Sequence, residues 1–216
     1  MGTGDLNEKQ IAGVLAELGA ATLGESGGRP ADRRLRPAWA GAAVAAPAYP
    51  VRCAPGDNLA VHVAVTRAPR GSVLCVDVGR VPDRGYWGEV LTTAAEAAGL
   101  AGLVLDGGVR DTAALKAHGF PVFSSTIALQ GATKDKPGTV GLPARVGGVL
   151  VSAGDWVVAD VDGVTFVPGE ALEEVLAAGQ ARATKESKFF EALRSGTSTL
   201  ELLGLDASLV TGDGTS

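Results

Sequence analysis

Apolar and polar positions in this chain follow first a helical and then a strand rhythm. Ile11, Val14, Leu15 and Leu18 recur at helical spacing, which predicts an amphipathic helix over roughly residues 8–18. Residues 24–37 are polar and rich in Gly, Pro and Arg, and predict a loop. Short apolar runs bounded by Pro and Gly follow at 42–46, 59–65 and 72–78; each has strand length, and the last two are rich in Val. Residues 86–98 are Ala-rich and stop at Gly99, which predicts a helix with a glycine end. A compact strand over 102–105 and a short helix over 111–118, closed by Gly119, come next.

The second half turns to strands, predicted at 121–124, 139–142, 148–151, 156–161 and 164–167. Asp162-Gly163 between the last two is a hairpin signal. Pro168 opens a helical region from 169 to about 193, with Leu172, Val175 and Leu176 on one face, and the tail 204–216 is expected to fray. With neither repeat nor linker, the reading is one mixed α/β domain over 1–216. It carries an N-terminal helix over about 8–20 and a C-terminal helical arm over about 169–203. Strands that arrive both singly between helices and in hairpins argue against a pure Rossmann pattern.

Composition narrows the classes. A chain of 216 residues buries a core without staples. Its net charge of −5, with no basic tract, gives no footprint for nucleic acid. Apolar runs such as 73–76 and 149–151 are too short for a bilayer, so no membrane partner is expected. The start of the chain shows no basic or apolar leader region, and Cys53 and Cys75 cannot make a disulfide framework. A cytoplasmic location is the expectation.

Two glycine-containing segments concentrate the chemistry: 85–91, with Gly85, Gly88 and Glu89, and 106–111, with Gly107, Gly108, Arg110 and Asp111. Both are predicted where a strand gives way to a helix, and free N–H groups at a helix start favour an anion. Arg110 offers a planar fork for a carboxylate or 2-oxo group, and Asp111 a hard oxygen for Mg²⁺ or Mn²⁺. The same residues also fit plain structure: Asp111 as a helix cap, Arg110 in a surface ion pair, Gly107-Gly108 as a turn. His62 reads as a half-exposed strand residue, His118 as a helix-end cap, and the lysines as solvated.

At these residues the chain resembles the RraA-like family. That family includes the class II 4-hydroxy-4-methyl-2-oxoglutarate / 4-carboxy-4-hydroxy-2-oxoadipate aldolases and the regulator of ribonuclease E activity. The resemblance runs from about 45 to 168. It is most specific in Trp87-Gly88-Glu89 and in Gly99-Leu100-Ala101-Gly102-Leu103-Val104-Leu105-Asp106-Gly107-Gly108-Val109-Arg110-Asp111. Gly119-Phe120-Pro121-Val122-Phe123 and Gly154-Asp155-Trp156 support it.

The resemblance implies an α/β sandwich of the swivelling β/β/α type, assembled as a homotrimer or a dimer of trimers. It also implies a metal-dependent lyase acting on a small 2-oxo acid, by retro-aldol cleavage or oxaloacetate decarboxylation through a pyruvate enolate. In that reading Arg110 binds the 2-oxo acid and Asp111 holds Mg²⁺ or Mn²⁺. Gly88, Glu89, Val90 and Leu91 receive the substrate carboxylate through their backbone, and Glu89 orients water of the metal's shell. Glu186 of a neighbouring subunit completes that shell. The alternative within the family is a non-catalytic binding protein that regulates a ribonuclease or another partner. Glu25, where the family commonly has Asp, and Ser124-Ser125-Thr126, where it has Ala-Arg-Gly, are departures that bear on substrate identity.

Overall fold

The computed structural model describes residues 7–212. The reading of residues 1–6 as lacking a leader, and the end of the predicted frayed tail at 213–216, lie outside the described residues. Helix α1 (Glu8–Gly24) begins with Asn7 and Gln10 capping each other. It breaks at Gly19, whose φ is 76°, and then resumes, so it runs beyond the predicted stretch. The Ala20 N–H at that break donates to Asp160 Oδ2 at 2.8 Å.

The predicted loop contributes two short edge strands, β1 (Arg29–Pro30) and β2 (Arg36–Pro37). Strand β3 (Val44–Arg52) leads to α2 (Leu59–Arg67), where the Val-rich pattern predicted a strand. Pairing explains the correction. β3 runs parallel to β4 (Val73–Asp77), and parallel neighbours need a crossover, which is a helix here. Ala60, Val61, Ala64 and Val65 are buried on one helical face, so tertiary position overrides strand propensity.

Strand β5 (Gly85–Trp87) contains Tyr86 and Trp87, both buried, so the helix predicted from 86 starts only at Glu89 as α3 (Glu89–Ala98). Strand β6 (Gly102–Val109) continues beyond its predicted end at Leu105. α4 (Thr112–His118), β7 (Val122–Ile127), β8 (Thr139–Val140), β9 (Ala144–Val146) and β10 (Val149–Val151) follow. The chain closes with β11 (Trp156–Asp160), β12 (Gly163–Val167), α5 (Leu172–Arg194) and α6 (Thr199–Leu203). β11 and β12 form the predicted hairpin, with Asp160 opposite Gly163.

Ten strands make one sheet whose main path is β1-β12-β11-β3-β4-β6-β7-β2, with β5 on β6 and β8 on β3; β9 and β10 pair separately. The centre, β3-β4-β6-β7, is parallel, while β11, β12 and the edges are antiparallel. The result is the expected mixed α/β architecture. Val73, Leu74, Cys75 and Val76 are fully buried, as a central parallel strand requires. Val61, Leu74, Trp87, Leu103 and Leu115 build one core. Val73, Cys75, Val104, Phe123 and Phe166 build another. Alternate residues of β4 and β6 thus feed opposite faces. The carboxyl ends of these strands carry the site, as in other open parallel sheets.

Candidate active site

Gly107 and Gly108 are strand residues, not a turn. At Gly108 a Cβ would lie 2.5 Å from Arg84 O and 2.6 Å from the Ala128 Cβ, so only glycine lets β5 and the chain after β7 press against β6. Arg110 and Asp111 come immediately after this strand, and the Arg110 N–H donates to Trp87 O at 2.9 Å. Asp111 has φ 59° and ψ 35°, and is the only non-glycine residue at positive φ among the described residues. A non-glycine residue keeps such a conformation where the surrounding structure holds it there.

That backbone turn removes one reading of Asp111, as the cap of the helix that follows it. It stands at the start of α4, yet its side chain makes no cap hydrogen bond there. Instead Oδ2 accepts the Glu89 N–H at 3.1 Å and lies 3.7 Å from Arg110 Nε. Gly88 makes this approach possible: a Cβ there would overlap Asp111 Oδ2 and sit 3.2 Å from Arg110 Cγ. The amides of Val90 and Leu91 fall in the first turn of α3, where no intrahelical acceptor exists. Gly88, Val90, Leu91, Arg110 and Asp111 therefore line one cleft of about 240 Å³.

The rest of the lining was not read from the sequence as functional. It comes from Asn58, the residue that precedes α2, from His62 of α2, and from Gly131, Ala132 and Lys134. Asn58 Nδ2 donates to Tyr86 O at 2.9 Å, which ties α2 to β5. Buried Asp57 holds the 133–136 loop: its carboxylate accepts from the Thr133 hydroxyl (2.7 Å) and from the N–H groups of Asp135 (2.7 Å) and Lys136 (3.2 Å). Burial alone would raise the Asp57 pKa, but these bonds and the Leu59 N–H outweigh it and hold the carboxylate well below its usual range. Burial pushes the His62 pKa down, and the Lys134 charge adds to this. The sequence did carry a signal: Asn58 and His62 stand four apart, and so share a face once the segment is a helix.

Other expected residues fall elsewhere. The Glu89 side chain leans toward α4, its Oε1 3.7 Å from His118 Nε2, and it does not line the cleft. His118 joins α3 to α4 through Glu96 Oε2 at 2.8 Å rather than acting as a simple end cap. Asp106 accepts from Arg34 and from the Gly147 N–H at 3.1 Å, a structural role away from the strand end. Glu186 pairs with Arg182 one turn earlier on α5, outside this protomer's cleft. Among the described residues no helix is long and apolar enough to cross a membrane.

The donor set can be tested against a divalent cation. Asp111 Oδ1 has no hydrogen-bond partner among the described residues, and no three His, Cys, Asp or Glu side chains converge there into a cage. One free carboxylate oxygen beside open space fits a cation that keeps most of its water, as Mg²⁺ does.

A mixed α/β sheet thus carries, at the end of a central strand, an Arg-Asp pair beside a helix start whose first-turn amides are free. The family model "RraA-like: Aldolase/RraA" matches residues 5–166, and the chain belongs to that family. A relative named "Putative 4-hydroxy-4-methyl-2-oxoglutarate aldolase", from Halalkalibacterium halodurans, is 38% identical over 133 residues, covering 62% of this chain and 63% of that protein. The chain spans less than two thirds of the length of the first curated relatives it matches. A solved structure of an uncharacterized protein from Pseudomonas syringae pv. tomato superposes with a TM-score of 0.79 at 26% identity, covering 88% of this chain and 91% of that one. The RNA-processing inhibitor RraA from Thermus thermophilis gives a TM-score of 0.60 at 28% identity, covering 65% and 85%.

Proposed function

We propose that the chain is a divalent-metal-dependent carbon–carbon lyase acting on a small 2-oxo acid. The observation that carries this is the convergence of Arg110, Asp111 and the free amides of Val90 and Leu91 on one cleft. The α3 amides and the positive end of that helix receive the C1 carboxylate. Arg110 faces the C2 oxygen with a guanidinium that stays charged at any working pH. Mg²⁺ or Mn²⁺ held at Asp111 would supply Lewis-acid polarisation of the 2-oxo group.

In the retro-aldol case the C4 hydroxyl gives its proton to water as C4 becomes a carbonyl, and in oxaloacetate C4 leaves as CO₂; in both, the C3–C4 electron pair moves to C2–C3 and negative charge grows on the C2 oxygen. Arg110 is placed to stabilise that charge, and a preorganised donor of this kind is worth about 3–4 kcal/mol in a transition state. The pyruvate enolate then takes a proton from water at C3 and leaves as pyruvate. Retro-aldol cleavage and oxaloacetate decarboxylation share this enolate, so one site serves both. The name carried by the Halalkalibacterium halodurans relative supports the aldolase reading.

Assembly as a homotrimer or dimer of trimers belongs to the same proposal, with Glu186 of a neighbouring subunit reaching the cation's water shell. Light scattering should then give at least about three times the 21.7 kDa chain mass. The decisive test is pyruvate release from oxaloacetate and from 4-hydroxy-4-methyl-2-oxoglutarate, with Mg²⁺ and with chelator. Metal-dependent pyruvate is expected. Its absence from every 2-oxo acid tried would favour the second reading, a binding protein that regulates a ribonuclease or another partner, which the likeness to Thermus thermophilis RraA supports.

A further inference from the structure

Helix α3 has no cap of the ordinary kind. A capping side chain at Gly88 would accept the N–H of Val90 or Leu91, but a Cβ there overlaps Asp111 Oδ2, so any such residue would displace that carboxylate. Asp111 takes the Glu89 N–H from outside the helix at 3.1 Å, and the next two amides stay open. The first turn is held from further in instead. The Trp87 indole Nε1–H donates to the Thr92 hydroxyl at 2.7 Å, and the Thr92 N–H closes the turn on Gly88 O at 3.1 Å. Trp87 is 1% exposed and Thr92 is fully buried.

Trp87 precedes the cap position and Thr92 is the fourth residue of the helix, the two places where an apolar staple fixes the angle at which a chain enters a helix. Here the contact is a hydrogen bond between buried groups, which fixes direction as well as distance. The Trp87 ring is held in turn by stacking on Phe120, with centroids 6.1 Å apart and an interplanar angle of 13°. The main chain of the same residue holds Arg110, whose N–H donates to Trp87 O at 2.9 Å. One residue thus ties the open amides of α3 to the start of the Arg110-Asp111 pair.

We propose that the Trp87–Thr92 hydrogen bond is a staple that stands in for the missing cap and holds the Val90 and Leu91 amides at the spacing from Arg110 that a carboxylate needs. The inference rests on reading those amides as the carboxylate-receiving part of a 2-oxo acid site. A Ser, Thr, Asp or Asn cap would occupy the amides that the anion uses, whereas a staple one turn further in leaves them free. Thr92 touches no substrate and acts through the backbone, so it is a positioning residue. Its hydroxyl is what the staple requires: Val fills nearly the same volume but offers no acceptor to the indole N–H.

The test is the affinity for pyruvate, measured by calorimetry with Mg²⁺ present, beside thermal unfolding. Thr92→Val should bind pyruvate about tenfold more weakly, the worth of one hydrogen bond to a charged group. Thr92→Ser keeps the hydroxyl and should stay within about threefold of the unaltered chain. Trp87→Phe removes the donor instead of the acceptor. The double variant should lose about as much affinity as either single one, since all three break the same bond. Val157→Ala, in the core on the opposite face of the sheet, should lower the melting temperature and leave pyruvate affinity within about twofold. Unchanged affinity in Thr92→Val and Trp87→Phe, or an equal loss in Val157→Ala, would overturn the staple. An unaltered chain that binds no pyruvate removes the carboxylate site and the staple's role with it. Pyruvate binding that weakens in Thr92→Val, without pyruvate release from any 2-oxo acid, sinks the lyase reading alone and leaves the staple standing.

Discussion

Asp111 Oδ2 accepts the backbone N–H of Glu89 at 3.1 Å, joining two helix starts 22 positions apart in sequence. The bond leaves one carboxylate oxygen toward the cleft and sets the Arg110-Asp111 pair against the open amides of α3. Asp111→Asn keeps an acceptor for that N–H and tolerates positive φ, so urea unfolding should move by no more than about 0.5 kcal/mol. Pyruvate release should nonetheless fall by about 100-fold or more, because the proposed cation would lose its charged ligand. Unchanged turnover would remove Asp111 from the chemistry.

Arg110→Lys retains a positive charge but loses the planar fork. A drop of at least about tenfold in kcat/KM is expected, and Arg110→Ala should abolish turnover, since Arg and Lys are not interchangeable where geometry matters. The side chain is 45% exposed, so thermal unfolding should barely shift in either variant. Stopped assays beside melting curves separate the two effects.

Gly88→Ala should damage the site without damaging the fold. The added Cβ overlaps Asp111 Oδ2, and the pair must retreat. A displacement near 1 Å costs about 100-fold in a positioned reaction, so kcat/KM should fall by roughly 10- to 100-fold while far-UV circular dichroism stays the same.

Asp106 offers the contrasting case. It is as acidic as Asp111 but is bound to Arg34 and the Gly147 amide. Asp106→Asn should cost about 1–2 kcal/mol of stability through the weakened pair. Its kcat/KM should remain within about twofold of the parent, as a residue outside the cleft requires. A loss of turnover as deep as that of Asp111→Asn would mean the two roles had been exchanged.

Asp57 gives a dependence on pH. Its folded pKa lies below the unfolded value, so its stabilisation is complete above the unfolded pKa of about 4 and is lost as pH falls through the folded value. Urea midpoints should therefore decline below about pH 4. In Asp57→Ala part of that decline disappears. At neutral pH this variant should lose about 2–4 kcal/mol, since four donors lose their shared acceptor.

The parts of the fold legible in the sequence were those whose local pattern agrees with their tertiary place. The hairpin at Asp162-Gly163 and the glycine stops at Gly99 and Gly119 are of this kind. α2 was misread because Val61, Val63 and Val65 carry strand preference, while the parallel pairing of β3 with β4 demands a helix between them. Misplacing α2 also hid one wall of the site: with His62 on a strand, its relation to Asn58 disappears. Arg110 and Asp111 could be named from residue type and resemblance. Asp111's left-handed backbone, which turns its carboxylate away from a capping role, is a tertiary fact with no local signature.

Strand β6 lies between β4 and β7 and carries Arg110 and Asp111 at its end, whereas Asn58, His62 and Lys134 come from a crossover helix and a loop held by one carboxylate. The two walls thus differ in what it takes to alter them. Under the proposed function, changes on the α2 side would alter the lining of the cleft while the frame that anchors Arg110 and Asp111 stays put. A lineage built on this plan can exchange its diet without rebuilding its chemistry.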